Sequence, residues 1–202
     1  TNNSGAHGPK AEDSCAMGLL MLNARMPQVL TGQRNAHWEQ LYTTPIAGKT
    51  VLVVGFGDLG QAAGRAARRL GLKVIAVTRS GKAHKLADRV VRTARLDSVL
   101  PKADFVVIAA PLTAGTRGLI TRARLDLLKP GAGFINIGRS PIADYEALRE
   151  KLNTGALGGA VLDVFDTEPL AVDSPWWTTK NTIVLPHISC DDPRYIQRLF
   201  EI

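Results

Sequence analysis

From Thr50 onward the chain alternates short apolar runs with amphipathic ones. Val51-Leu52-Val53-Val54 is apolar at four successive positions, as a strand covered on both faces requires. Leu59, Ala63, Ala66 and Leu70 follow as one helical stripe, and Gly71 closes it. Val74-Ile75-Ala76-Val77 predicts the next strand. Phe105-Val106-Val107-Ile108, Phe134-Ile135-Asn136-Ile137, Gly159-Ala160-Val161-Leu162 and Thr182-Ile183-Val184-Leu185 predict four more. Helical runs over Thr121–Leu128 and Asp144–Asn153 separate several of them. Strand, helix, strand in repetition predicts an α/β fold with a doubly wound parallel sheet.

Upstream the pattern changes. Gly8-Pro9-Lys10 to Met26 reads as a helix, with Pro9 in its first turn and Pro27 stopping it. Its stretch from Cys15 to Leu22 is apolar on nearly all sides and must be covered all round, by its own domain or by a second subunit. Residues 28–48 read as polar and irregular, with Trp38 and Tyr42 as packing anchors. The expected division is a helical arm or dimerisation segment over 1–48, a dinucleotide-binding domain over 49–190, and the start of a further helix over 191–202.

Composition narrows the class. A chain of 202 residues, 45% hydrophobic and 21% charged, is ordinary for a soluble protein with one substantial core. Cys15 and Cys190 are too far apart in sequence to suggest a disulfide framework or a metal site, so a reducing, cytoplasmic compartment is expected. No run is long enough to span a membrane, and the polar start carries no secretory signal. The net charge of +7 invites a nucleic-acid reading. Arg65, Arg68, Arg69, Arg122 and Arg124, however, are scattered over predicted helices without interleaved aromatics. They point to solvated faces and a small anionic ligand. With no initiator Met and an end inside an amphipathic run at Glu201-Ile202, the sequence reads as a fragment.

The candidate chemistry begins at Gly55-Phe56-Gly57-Asp58-Leu59-Gly60, between the first strand and its helix. The first Gly permits the tight turn. The second lets backbone approach a pyrophosphate, and the third lets helix and strand pack closely, with the phosphates on the helix N-terminus. At the end of the second strand, where an acid commonly holds the ribose hydroxyls of NAD, stands Val77-Thr78-Arg79-Ser80, with Lys82 just beyond. Arg79 can fork onto a 2′-phosphate and Ser80 can donate to it. A charge-assisted hydrogen bond is worth about 1.5–3 kcal/mol, which favours NADP(H), with NAD(H) as the lesser cofactor.

Later motifs bring a family into view. Ala109-Ala110-Pro111-Leu112-Thr113-Ala114-Gly115-Thr116 resembles the Pro-Leu-Thr loop of the D-2-hydroxyacid dehydrogenases. Asn136-Ile137-Gly138-Arg139-Ser140 resembles their substrate-arginine segment, Leu162-Asp163 through Glu168-Pro169-Leu170 the segment with the catalytic Glu, and Leu185-Pro186-His187-Ile188-Ser189 the segment with the catalytic His. The resemblance spans essentially the whole chain and implies a Rossmann-type cofactor domain of a glyoxylate- or hydroxypyruvate-reducing enzyme. By it, Arg139 binds the substrate, His187 is the general acid/base and Glu168 orients it. Gly55, Gly57, Asp58, Leu59, Gly60, Thr78, Arg79, Ser80, Pro111, Thr116, Ile137, Gly138 and Asp163 contact the cofactor. No metal is implied.

The residue types suit that chemistry. An imidazole keeps both protonation states accessible near neutrality, and a carboxylate beside it favours the charged form. Taken one at a time the same residues have plainer readings, Asp163 as a structural acid held by backbone N–H groups among them. Ser140-Pro141 departs from the family's usual Gly after the arginine and stiffens the turn. Cys190 stands where Gly or Ala is common, and of Trp176-Trp177 one is expected to pack while the other lines the pocket or the surface. The resemblance also implies a homodimer and a second, substrate domain that the sequence does not contain, without which turnover would be poor. Two other classes compete, a cofactor-sensing corepressor-like interaction module and a methyltransferase using the glycine loop.

Overall fold

Four-residue runs that are apolar on both faces need a layer of side chains above and below them, and the structure supplies both. It is a computed structural model that describes residues 8–191. Seven strands lie in one sheet: β1 (Thr50–Val54), β2 (Lys73–Thr78), β3 (Arg89–Arg92), β4 (Phe105–Ile108), β5 (Gly133–Asn136), β6 (Gly159–Leu162) and β7 (Thr182–Val184). Their order is β3-β2-β1-β4-β5-β6-β7, and every neighbouring pair is parallel. The expected Rossmann-type α/β fold is therefore the one found.

The helices are α1 (Gly8–Asn23), α2 (Met26–Arg34), α3 (Asp58–Arg69), α4 (Arg122–Asp126) and α5 (Tyr145–Asn153). Alternation along β1 sends Val51 and Val53 to one side, where Cys15, Leu19 and Leu22 of α1 and Ala63, Ala66 and Ala67 of α3 cover them. Leu52 and Val54 face the opposite layer, built from Leu125 of α4, Ala147, Leu148 and Leu152 of α5, and Leu96, Val99 and Leu100 before β4. Each fully buried Leu or Val contributes about 1.5–3 kcal/mol relative to exposure. The sheet is thus held equally from both faces.

The upstream segment differs from its expectation. The first helix ends at Asn23, and Arg25 turns the chain in a left-handed conformation (φ 54°). Pro27 begins a helix here: it sits in the first turn of α2, where a missing N–H costs nothing. Residues 28–34, expected to be irregular, lie in α2. Trp38 and Tyr42 are 89% and 85% exposed, so neither packs as an anchor among the described residues. The outer side of α1 is likewise uncovered at Met17 and Leu20.

Two of the basic residues expected on solvated faces are used structurally. Arg65 and Arg69 of α3 both reach the buried Glu12 of α1, each at 2.7 Å, and clamp the two helices together. Strand β3 carries Arg89 and Arg92 at its ends and exposes both, so its Val90-Val91 core is too short to stand out as a strand in the sequence. No helix among the described residues is long and apolar enough to cross a membrane. Of the helix expected over 191–202, all but Asp191 lies outside the described residues.

Candidate active site

In a parallel sheet the loops that leave the carboxyl ends of the strands all emerge at one edge. That edge therefore receives Gly55 after β1, Arg79 after β2, Pro111 after β4, Ile137–Arg139 after β5, Asp163 after β6 and His187 after β7. Strand order reverses between β1 and β4, which opens a crevice where such sheets take ligands.

The floor of the crevice is backbone. Gly55 lies at φ +86°, and a Cβ there would come within 2.5 Å of Ala110 Cα. A Cβ on Gly60 would meet Gly55 O at 2.0 Å, so α3 can only begin against β1 without a side chain there. Gly57 is different: nothing lies within 4 Å of its Cβ direction. It caps the N-terminus of α3 in open space, so a phosphate can approach there with the helix N-terminus facing it. This cradle fits a dinucleotide. Asp58 and Leu59 follow in the helix's first turn, both half-buried.

Beyond β2, Thr78 Oγ1 accepts from Gly81 N at 2.9 Å and Ser80 Oγ from Lys82 N at 3.3 Å, which builds a tight loop. Arg92 Nε donates to Ser80 O at 3.2 Å and brings a second guanidinium to that loop. Arg79 is exposed. In the Pro-Leu-Thr loop the Thr116 hydroxyl is used internally: it donates to Pro111 O at 2.6 Å and accepts from Thr113 N at 2.8 Å. Its role is to shape the loop. Ile137 and Gly138 are buried beside it, and a Cβ on Gly138 would meet Ala110 O at 2.8 Å.

The three remaining loops bring the reactive groups together. His187 Nδ1 and Glu168 Oε2 are 2.6 Å apart, and Glu168 Oε1 accepts from Phe165 N at 2.8 Å. Burial pushes the Glu168 carboxyl up. The hydrogen bonds from His187 and Phe165, with the charges of His187 and Arg139, outweigh this and hold it below the usual carboxylate range. An ionised Glu168 accepts, so Nδ1 of His187 is the donor and Nε2 is the nitrogen left to face a substrate. His187 itself lies at φ +56°, a conformation that costs a non-Gly residue about 1–3 kcal/mol and persists where surroundings impose it.

Those surroundings start at Asp163. It is 2% exposed, and its two carboxylate oxygens accept from Ile188 N at 2.8 Å and Ser189 N at 3.0 Å. The structural reading of this acid is the geometry found, and it pins the loop that bears His187. Asn136 does similar work for Arg139: Nδ2 donates to Arg139 O at 3.2 Å and to Tyr145 Oη at 2.9 Å, while Oδ1 accepts from Gly138 N at 3.0 Å. Tyr145 in turn donates to Val164 O at 2.9 Å. Burial drives its phenol far above its ordinary range, so it stays a neutral donor. Arg139 is exposed, and its Nη1 donates to Gly138 O at 2.6 Å.

Sequence reasoning passed over Asn136, Tyr145 and Asp166 as site supports, because each acts through a contact between distant segments. Trp176 packs edge-on against Tyr145 with Phe165 close by, whereas Trp177 is 46% exposed and lines an apolar recess of about 470 Å³ beside His187. Burial, with Asp163 and Asp191 nearby, pushes the Cys190 thiol up to about 11, so it carries no thiolate near neutrality. Among the described residues no cluster of His, Cys, Asp and Glu is arranged to hold a metal ion.

Comparison with known proteins identifies the family and supports the fold. Residues 16–189 match the family profile described as D-isomer specific 2-hydroxyacid dehydrogenase, NAD binding domain. A glyoxylate reductase of Thermococcus kodakarensis is 38% identical over 143 residues, which are 71% of this chain and 43% of that protein. The chain thus spans about half the length of the curated relatives it matches. Among solved structures, a D-isomer specific 2-hydroxyacid dehydrogenase from Xanthobacter autotrophicus in complex with NADPH and MES superposes with a TM-score of 0.82 at 33% identity, covering 96% of this chain and 82% of that one. An NADPH-dependent glyoxylate/hydroxypyruvate reductase from Sinorhizobium meliloti in complex with NADP and sulfate gives 0.85 at 31% identity, covering 96% and 62%.

Proposed function

The chain belongs to the D-isomer-specific 2-hydroxyacid dehydrogenase family, and on that premise we propose that it is the cofactor-binding part of an NADPH-preferring reductase of small 2-oxo acids. The observation that carries the proposal is the His187–Glu168 pair at 2.6 Å, held at the ligand edge of the sheet with Arg139 close enough to act on the same carboxylate.

In this reading Arg139 binds the substrate carboxylate and the carbonyl oxygen with its planar donor fork. Protonated His187 donates from Nε2 to the carbonyl oxygen as the C2 carbon is reduced to the D-2-hydroxy acid. Glu168 keeps the imidazole aimed, with Nδ1 as donor to its carboxylate, until that proton is delivered. The nicotinamide dinucleotide, when bound, supplies the hydride. Gly55, Gly57, Asp58, Leu59 and Gly60 would hold its pyrophosphate, and Thr78, Arg79 and Ser80 its 2′-phosphate. Pro111, Thr116, Ile137, Gly138 and Asp163 would line the nicotinamide side, where Asp163 still has lone pairs for one more donor.

The relatives' names, glyoxylate reductase and glyoxylate/hydroxypyruvate reductase, suggest glyoxylate or hydroxypyruvate as substrate. We also propose that a second domain completes the cleft in the whole protein and that residues 49–190 form the cofactor domain, with 1–48 as its dimerisation arm. The uncovered Met17, Leu20, Trp38 and Tyr42 support pairing with a second copy.

The test is steady-state reduction of glyoxylate and hydroxypyruvate with NADPH by the whole protein, beside its His187→Asn variant. Asn tolerates left-handed backbone and so isolates the loss of the acid. Turnover that falls by about 10²–10⁴ in the variant is expected. Tight nucleotide binding with no turnover in the unsubstituted protein would contradict the reading and favour a cofactor-sensing interaction module.

A further inference from the structure

The loop that carries Glu168 is anchored at Phe165, which packs against Tyr145 and Trp176, and is exposed beyond it. Among the described residues, no backbone–backbone hydrogen bond joins residues 165–170 to another element. Asp166, Thr167, Glu168 and Pro169 are all exposed. A loop in that state samples several positions unless a side chain tethers it. The tether here runs from Asp166: its Oδ1 accepts from Ser140 Oγ at 2.7 Å.

The other end of the tether is rigid. Ser140 follows Arg139 directly and is 2% exposed. It opens the short 3₁₀ turn Ser140–Ile142, and Ser140 O accepts from Ala143 N at 3.0 Å. Asn136 fixes the preceding residue by accepting from Gly138 N and donating to Arg139 O. A buried hydroxyl that loses its acceptor has no water to replace it, so the Ser140–Asp166 contact is strongly preferred over an open loop.

Resting on the roles given above to Arg139, Glu168 and His187, we propose that Ser140 and Asp166 form a positioning pair. It keeps the Glu168 carboxylate, and through it the His187 imidazole, in register with the Arg139 guanidinium. Neither residue touches substrate. Their contact sets the distance between the group that binds the 2-oxo acid and the group that protonates it, and small errors in that distance are costly to turnover.

The experiment uses the whole protein with Ser140→Ala, Asp166→Ala, the double variant and Asp166→Asn. With glyoxylate or hydroxypyruvate, each Ala variant is expected to lower kcat/KM at least about tenfold, the loss of one hydrogen bond to a charged partner. The double variant should do no worse than either single one, because both remove the same contact. Asp166→Asn keeps an acceptor oxygen and should stay near the unsubstituted protein, and NADPH affinity should be unchanged throughout. In parallel, the Glu168 carboxyl is titrated by ¹³C NMR, where Ser140→Ala should move it up towards its ordinary value. Additive losses, unchanged single variants, or an Asp166→Asn as impaired as Asp166→Ala would overturn the proposal. If the unsubstituted protein reduces no 2-oxo acid, the functional reading fails and the NMR titration decides the tether by itself: an unmoved Glu168 overturns it.

Discussion

His187 holds left-handed backbone, exposes its ring and shares a short hydrogen bond with an ionised carboxylate. These features have one cause. Asp163 fixes the two amides that follow His187, which forces its φ, and the forced backbone brings Nδ1 to Glu168. Replacing Asp163 by Ala removes both backbone contacts and should cost about 2–4 kcal/mol of stability as well as the pairing, read by urea unfolding. Glu168 gives the pH dependence. Its folded pKa lies below the unfolded one, so its contribution to stability is complete above the ordinary carboxylate range and is lost as the pH falls through the lower folded value. NMR titration should find Glu168 ionising below the ordinary carboxylate range, and His187→Asn should raise its pKa. A Glu168 titrating at or above the ordinary value in the unsubstituted protein would remove the electrostatic basis of the pair.

The glycine loop makes a sharper test at the level of elements, since its glycines stand in different surroundings. A methyl group on Gly60 would collide with Gly55 O, so Gly60→Ala must separate α3 from β1 and should destabilise the fold by more than about 3 kcal/mol. A methyl on Gly57 meets nothing in the protein, and its φ of −74° suits any residue. Gly57→Ala should therefore fold normally and bind NADPH at least tenfold more weakly; unchanged affinity would place the pyrophosphate elsewhere. The α1–α3 clamp gives a third variant. Glu12→Ala should cost about 1–2 kcal/mol, less at high salt because Arg65 and Arg69 reach solvent.

The elements that were legible in the sequence are those whose burial is two-sided. β1, β4, β5 and β6 are apolar over most of their length because both faces are covered, and their positions follow within a residue. Strand β3 was illegible because it lies at the sheet edge between two exposed arginines. The break at Ala24-Arg25 was illegible too, because no Gly marks its left-handed residue. At the site, the residues that meet at the carboxyl edge of the sheet were readable from their order along the chain. Their supports were not, since Tyr145 and Ser140 meet Val164 and Asp166 only after the sheet has brought β5 and β6 together.

In the proposed reading, the carboxyl edge of the single sheet is a dinucleotide site with a proton donor at its end. The apolar outer side of α1 and the exposed Trp38 and Tyr42 lie elsewhere on the surface. In sedimentation equilibrium the protein should behave as a dimer, and a monodisperse monomer would sink the pairing proposal while leaving the site untouched. The most direct measurement is a calorimetric titration of this chain with NADPH and, separately, with NADH, repeated on Arg79→Ala. NADPH should bind at least tenfold more tightly, and the variant should lose that difference while keeping its affinity for NADH. Equal affinity for the two nucleotides, or a preference for NADH that Arg79→Ala leaves unchanged, would contradict the assignment of this edge to NADPH.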